Sequence, residues 1–251
     1  MAAHGLGPTV SLDGWQVALA GLVSGAAGAG GGDLTADEHR WLEEQAGSDG
    51  LLLTTEVGRW WRTFRIRSSA PLTVAALAAD APAVLDRYLD HHAEASSFFL
   101  AEAGQFLDFV AGAHEAVPGP PALVTSVVAL ERAMLELVEA GPTAPPGAGP
   151  GLGAVARHPR ATMVEMASPP AATLAALLTG GRPPEPGGGP FWLLVAPGIA
   201  GFVRAATAGE ARLWQSMGEQ PVTPGGDDRT ALLRLWAAGA VLAYADPPIG
   251  A

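Results

Sequence analysis

A chain of 251 residues with no cysteine and no lysine cannot form a disulfide, use a thiolate or a Schiff-base amine, or hold phosphate with a Walker-type lysine. Hydrophobic residues make up 49% and charged residues 16%, which excludes a disordered composition, and the net charge of −11 speaks against tight binding of nucleic acid. The 33 glycines and 22 prolines cluster, so the chain reads as folded parts joined by linkers.

Residues 14–32 carry no charge. No Arg precedes them, so the positive flank of a signal peptide is missing, and their second half is mostly Gly and Ala, too weakly apolar for a bilayer. A short helix with Val17, Leu19 and Leu22 running into a loop is expected, in a cytoplasmic chain with no membrane contact. Thr35-Ala36-Asp37-Glu38 has the form of a capping box opening a helix with Trp41 and Leu42. Val57, Trp60, Trp61 and Phe64 recur at helical spacing, and Ala83 to His91 forms another short helix. Phe99, Ala103, Phe106, Leu107 and Val110 mark an amphipathic helix. Leu123, Val127, Leu130, Met134, Leu137 and Val138 mark the longest, stopped by Gly141 and Pro142. Residues 1–140 are therefore expected to be an all-α bundle.

Residues 141–153 read as a linker, and 179–190 as a long loop. Beyond the linker the pattern changes. Strands are expected at Thr162–Met166, Phe191–Val195 and Phe202–Ala206, with a short helix at Leu174, Leu177 and Leu178 and a turn at Pro197-Gly198. Thr207 to Glu210 is a second capping box, opening a helix with Leu213, Trp214 and Met217. Leu232, Leu235, Trp236 and Gly239 mark one face of the last helix, and Val241 to Tyr244 reads as a returning strand. The fold class expected is α+β: an N-terminal helical bundle and, over 154–251, a winged-helix-like domain. Its last helix could enter a DNA groove, or the edge of its third strand could accept a peptide.

Residues that carry chemistry are sparse. His91 and His92 are adjacent, so on a helix they point about 100° apart and cannot share a metal easily, even with Glu94 nearby. His114 and His158 lack a ligand pattern. No nucleophile elbow, phosphate loop or dinucleotide fingerprint occurs, and the Gly28–Gly32 run has no apolar strand before it. Asp108, Glu131 and Glu136 lie on helices and suggest no catalytic pair. One basic cluster stands out: Arg59, Arg62, Arg65 and Arg67, interleaved with Trp60, Trp61 and Phe64. Arg with Trp is common at protein interfaces. The plainer reading is a helix with a Trp face in the core and an Arg face in solvent. On the third strand, alternation puts Phe202, Arg204 and Ala206 on one face and Val203 and Ala205 on the other. Arg204 there either meets an acidic residue of a bound peptide or simply ends the hairpin at the surface.

The stretch Trp61-Arg62-Thr63-Phe64-Arg65, with Pro71-Leu72-Thr73, Ala81-Pro82, Leu85, Tyr88 and Leu89, is similar to a known helical pattern. It continues through Glu102, Phe106 to Val110, and Leu130-Glu131-Arg132-Ala133. Leu193 to Gly198, Arg204 to Ala206, Glu210 to Trp214 and Leu235 to Ala240 follow. Together, over residues 55 to 245, these resemble a family named for a DNA-binding domain. Its members include partner proteins of multinuclear non-heme iron oxidative enzymes in peptide natural-product maturation. The resemblance implies a non-catalytic subunit that forms a heterodimer with the iron enzyme and binds the leader of a ribosomally made precursor peptide. It carries no metal of its own, since the iron sits in the partner. The peptide would lie on Phe202, Val203, Arg204, Ala205 and Ala206, against Leu232, Leu235 and Trp236. The enzyme would dock on Arg59, Trp60, Arg62, Arg65 and Arg67. The alternative is a winged-helix regulator. Its last helix offers only Arg229 and Arg234 to DNA, and Asp227 and Asp228 at its start repel phosphate.

Overall fold

The computed structural model describes residues 12–24, 34–92, 98–112, 122–141, 154–218 and 221–244. Glu94, His114, the Gly28–Gly32 run and most of the expected linker lie outside these residues. The helices are α1 (Leu12–Ser24), α2 (Ala36–Ala46), α3 (Asp49–Ser69), α4 (Pro71–Leu77), α5 (Ala81–His91), α6 (Phe99–Gly112), α7 (Ala122–Ala140), α8 (Pro170–Thr179), α9 (Ala208–Ser216) and α10 (Arg229–Ala237). The strands are β1 (Val155–Arg157), β2 (Thr162–Met166), β3 (Phe191–Val195), β4 (Val203–Ala206) and β5 (Val241–Ala243). The chain is thus mixed α+β. Among the described residues no single helix is long and apolar enough to cross a membrane.

The described residues divide into two compact units, but not at 141–153. One holds the residues up to Ser69 with Ala79–Phe106; the other holds Ala70–Ala78 with the residues from Leu107 onward. By sequence pattern alone α7 is the last helix of the expected bundle. Its Leu130, Ala133 and Leu137 instead pack on Val164 and Met166 of β2 and Leu193 and Val195 of β3. A periodic apolar face does not name its partner, and here the partner is a sheet.

In the first unit, Thr35 and Glu38 form the expected capping box: the Thr35 N–H donates to Glu38 Oε2 at 2.8 Å, and the Glu38 N–H to Thr35 Oγ1 at 3.3 Å. The Trp15 and Trp41 rings, 5.3 Å apart, tie α1 to α2. Helix α5 buries Val84, Leu85, Tyr88 and Leu89 at helical spacing.

In the second unit, α4 starts without a capping side chain because its N-cap is Ala70. Glu131 of α7 does that work from a distance. Its buried carboxylate accepts from the Leu72 N–H at 2.7 Å and the Thr73 N–H at 2.8 Å. Burial pushes the Glu131 pKa up against those donors.

Strands β2, β3 and β4 form an antiparallel sheet in that order, and β1 pairs with β5 in a second sheet. Strand β1 has three residues, too few for a pattern to mark it. Strand β3 is central and covered on both faces, which is why Phe191 to Val195 reads as an unbroken apolar run. Leu193 and Val195 face the α7 side. Leu194 faces a second core of Leu213 and Trp214 from α9, Met217 at its C-cap, Leu232 and Leu235 from α10, and Val241.

Candidate functional site

The turn between β3 and β4 is pinned to the end of α10. Gly198 donates its N–H to the Ala238 carbonyl at 3.0 Å. A Cβ at Gly198 would stand 2.8 Å from the Ala238 carbonyl atoms, so only glycine fits without displacing backbone. Helix α10 closes there with a Schellman pattern. The Ala240 N–H reaches the Leu235 carbonyl, the Gly239 N–H reaches that of Trp236, and Gly239 has φ +64°.

Strand β4 is an edge strand. It pairs with β3 in the register Trp192↔Ala206, Leu194↔Arg204, and the Ala196 N–H reaches the Phe202 carbonyl at 2.9 Å. Antiparallel alternation then turns the N–H and C=O groups of Phe202, Arg204 and Ala206 toward β3, and those of Val203 and Ala205 away from it. No strand among the described residues covers that outer side. Beside it runs an open groove of about 480 Å³, lined by Gly198 and Ile199 of the turn, Arg204, Ala205 and Thr207, Glu210 of α9, and Arg234, Ala237 and Ala238 of α10.

The groove carries a built ion pair. Arg204 Nη2 stands 2.5 Å from Glu210 Oε1 and Nη1 stands 3.2 Å from Oε2. Nη1 also donates to the Ala205 carbonyl at 2.9 Å, and Nη2 to the Arg234 carbonyl at 3.3 Å. Glu210 also closes the second capping box, accepting from the Thr207 N–H at 2.8 Å and hydroxyl at 3.0 Å. Burial alone would raise the Glu210 pKa, but the Arg204 guanidinium and the Thr207 donors hold it below the usual carboxylate value.

Of the residues expected to meet a peptide, Arg204 and Ala205 line the groove, and Ala206 packs on the α9 side of the sheet. Phe202 is not a strand residue. Its φ of +65° reverses the alternation, so it packs with Val203 on the α7 side, opposite Arg204. Leu232 and Leu235 are buried core residues, and Trp236 is half-buried against the same core. The groove face of α10 is Arg234 and Ala237, with Ala238 at its C-cap; the sequence offers Arg234 only as a contact to DNA. The apolar i,i+3 spacing of Leu232 and Leu235 was itself the signal that they face the core.

The basic cluster on α3 is also rearranged. Arg62, 6% exposed, points inward and donates through Nε to Glu102 Oε1 at 2.9 Å, and Arg65 Nη2 lies 3.6 Å from Oε2. The Tyr88 hydroxyl donates to the same carboxylate at 3.1 Å, and burial followed by that negative charge pushes its pKa up. Arg59 pairs with Asp86 and Asp90 of α5. The interior charge of Glu102 thus turns Arg62 into the core and Arg65 half-way in, away from the outward side expected of a docking face. Arg59 and Arg67 remain at the surface. The outward side of α3 is aromatic instead. Trp60, 58% exposed, contacts Trp61 and Phe64, and Phe64 contacts Phe99 of α6, with ring centroids 4.9 to 6.3 Å apart. This inverts the simple picture of core Trp and solvated Arg.

His91 and His92 each place Nδ1 against a backbone carbonyl four residues back, at 2.7 and 3.3 Å. No protein-family model matches the chain, and no curated protein matches it significantly.

Proposed function

We propose that this chain is a non-catalytic partner subunit that binds the leader of a ribosomally made precursor peptide and presents the peptide to a multinuclear iron-dependent oxidative enzyme. The observation that carries the reading is the open side of β4 with a groove beside it. An extended peptide can add there as a further strand, gaining main-chain hydrogen bonds from Val203 and the Ala205 N–H and setting side chains into the groove. The hairpin followed by α9 and α10 is the arrangement that prompted the winged-helix-like expectation. The resemblance over residues 55 to 245 supplies the iron enzyme, and the aromatic face of Trp60, Trp61 and Phe64 is the surface offered to it. Exposed aromatic clusters with an Arg rim are typical binding anchors.

The test is a search beside the gene for an iron-enzyme gene and a short peptide gene, followed by calorimetric titration of that peptide into the full chain, alone and with that enzyme. Micromolar binding, on the order of −8 kcal/mol, is expected. Ala205→Pro should abolish it without unfolding the domain. Its N–H points away from β3, so proline removes a donor from the outer side only. Absence of binding in both arrangements, or of any adjacent peptide gene, overturns the reading.

A further inference from the structure

We infer that the groove beside β4 selects an extended peptide bearing an Asp or Glu side chain, with Arg234 receiving its carboxylate; this rests on the peptide-binding reading and specifies the peptide's chemistry. Three charged residues line the groove. Two of them cancel: Arg204 is spent on Glu210 through two contacts, and both oxygens of Glu210 are used by Arg204 and Thr207. The third, Arg234, is exposed and makes no ion pair among the described residues. Its backbone carbonyl is occupied by Arg204 Nη2 and the Ala238 N–H, so the residue is fixed in place while its guanidinium is uncommitted. The rest of the lining is Gly, Ala, Ile and Thr. The groove thus holds one uncompensated positive charge in a chain whose net charge is −11.

Such an arrangement favours small or apolar residues along the strand with one acidic residue opposite α10. A guanidinium can take a carboxylate through two parallel hydrogen bonds, whereas a basic peptide would meet repulsion both at Arg234 and in the loss of that pairing. Arg204 sharpens the choice. Its Nη1 already covers the outward carbonyl of Ala205, so an incoming strand competes with that bond and gains most when it brings its own charge-assisted contact.

The experiment is selection of a random phage-displayed heptapeptide library on the full chain, on Arg234→Glu and on Ala205→Pro, with circular dichroism to verify folding. Wild type should enrich Asp- or Glu-bearing sequences. The best of these, made as a synthetic peptide, should bind Arg234→Glu at least about tenfold more weakly. Arg234→Glu should instead enrich Arg- or Lys-bearing sequences. Enriched peptides that bind Ala205→Pro poorly but show no acidic bias, or are indifferent to Arg234→Glu, overturn the inference and leave the peptide groove standing. Failure to enrich any peptide that depends on the β4 edge overturns both.

Discussion

Each unit of this molecule holds a buried glutamate gripped by arginine, and the two are built differently. In the first, Glu102 meets Arg62 and Arg65 from 40 and 37 positions away in sequence, fully enclosed. Arg62 Nη2, Arg65 Nε and Glu102 Oε2 are buried there without a hydrogen-bond partner. In the second, Glu210 meets Arg204 only six residues away, and its other acceptor capacity goes to Thr207. The first cluster is costly to hold and to break, since buried charges surrender hydration that a single pairing only partly returns. The second is economical, and one side of it opens onto a groove. The same pair of residue types thus sets an interior in one place and shapes a surface in the other.

The sharpest way to break this contrast is Glu102→Ala. It leaves two arginines facing an apolar interior and should cost about 3–5 kcal/mol, read by urea unfolding of the full chain. The triple change Arg62→Met, Arg65→Met and Glu102→Met, which removes every charge of the cluster, should recover most of that loss; if it does not, the cluster contributes net stability and the contrast fails. Glu210→Ala removes a cap and a two-contact ion pair together, and is expected to cost about 2–4 kcal/mol in the same assay. Glu131→Gln, which keeps the shape but weakens the long-range cap on α4, should cost about 1–3 kcal/mol.

Acid separates two of these carboxylates by sign. Glu210 has a folded pKa below 4.5, so its stabilisation is complete above that value and is lost as pH falls through the lowered one. Glu131 is raised above 4.5, so its contribution is complete below that value and fades as pH rises through the raised one. Urea midpoints across the acid range should show Glu210→Gln flattening the low-pH loss and Glu131→Gln flattening the decline above it. Matching slopes for the two variants would contradict the assignment. The smallest effect on stability is expected from Trp60→Ala. At an exposed position it should move folding by less than about 0.5 kcal/mol while weakening co-purification with the iron enzyme proposed as partner.

Local rules were legible in the sequence. Both capping boxes, the stop at Gly141, and helices α3, α5, α6 and α7 follow from residue spacing and turn chemistry. What escaped depends on partners distant in the chain. Nothing near Arg62 announces Glu102, so the arginines of α3 read as surface when they are interior. Nothing near α7 announces that its apolar stripe lies on β2 and β3. Aromatics favour strands, so Phe202 reads as extended, yet its positive φ places it in the turn. The strand pattern singles out Arg204 and Ala205, and both line the groove. Arg234 stands out in the sequence only as a contact to DNA, and Ala237 and Ala238 carry no signal of their own, because the apolar residues of α10 mark its core face.

Ala70–Ala78 sits within the stretch that builds the first unit yet belongs to the second, so the backbone visits the units alternately. No single cut releases either one whole. A fragment beginning at residue 154 would lack α4 and α7 and bare Val164, Met166, Leu193 and Val195, inviting aggregation. The same ordering bears on synthesis. Helix α4 leaves the ribosome well before β2 to β4 exist, a delay of roughly ten seconds at common elongation rates. During that interval α4 lacks the helices α7 and α8 it packs on, and α7, once made, still lacks its sheet, so apolar surface stays exposed until the second unit is complete.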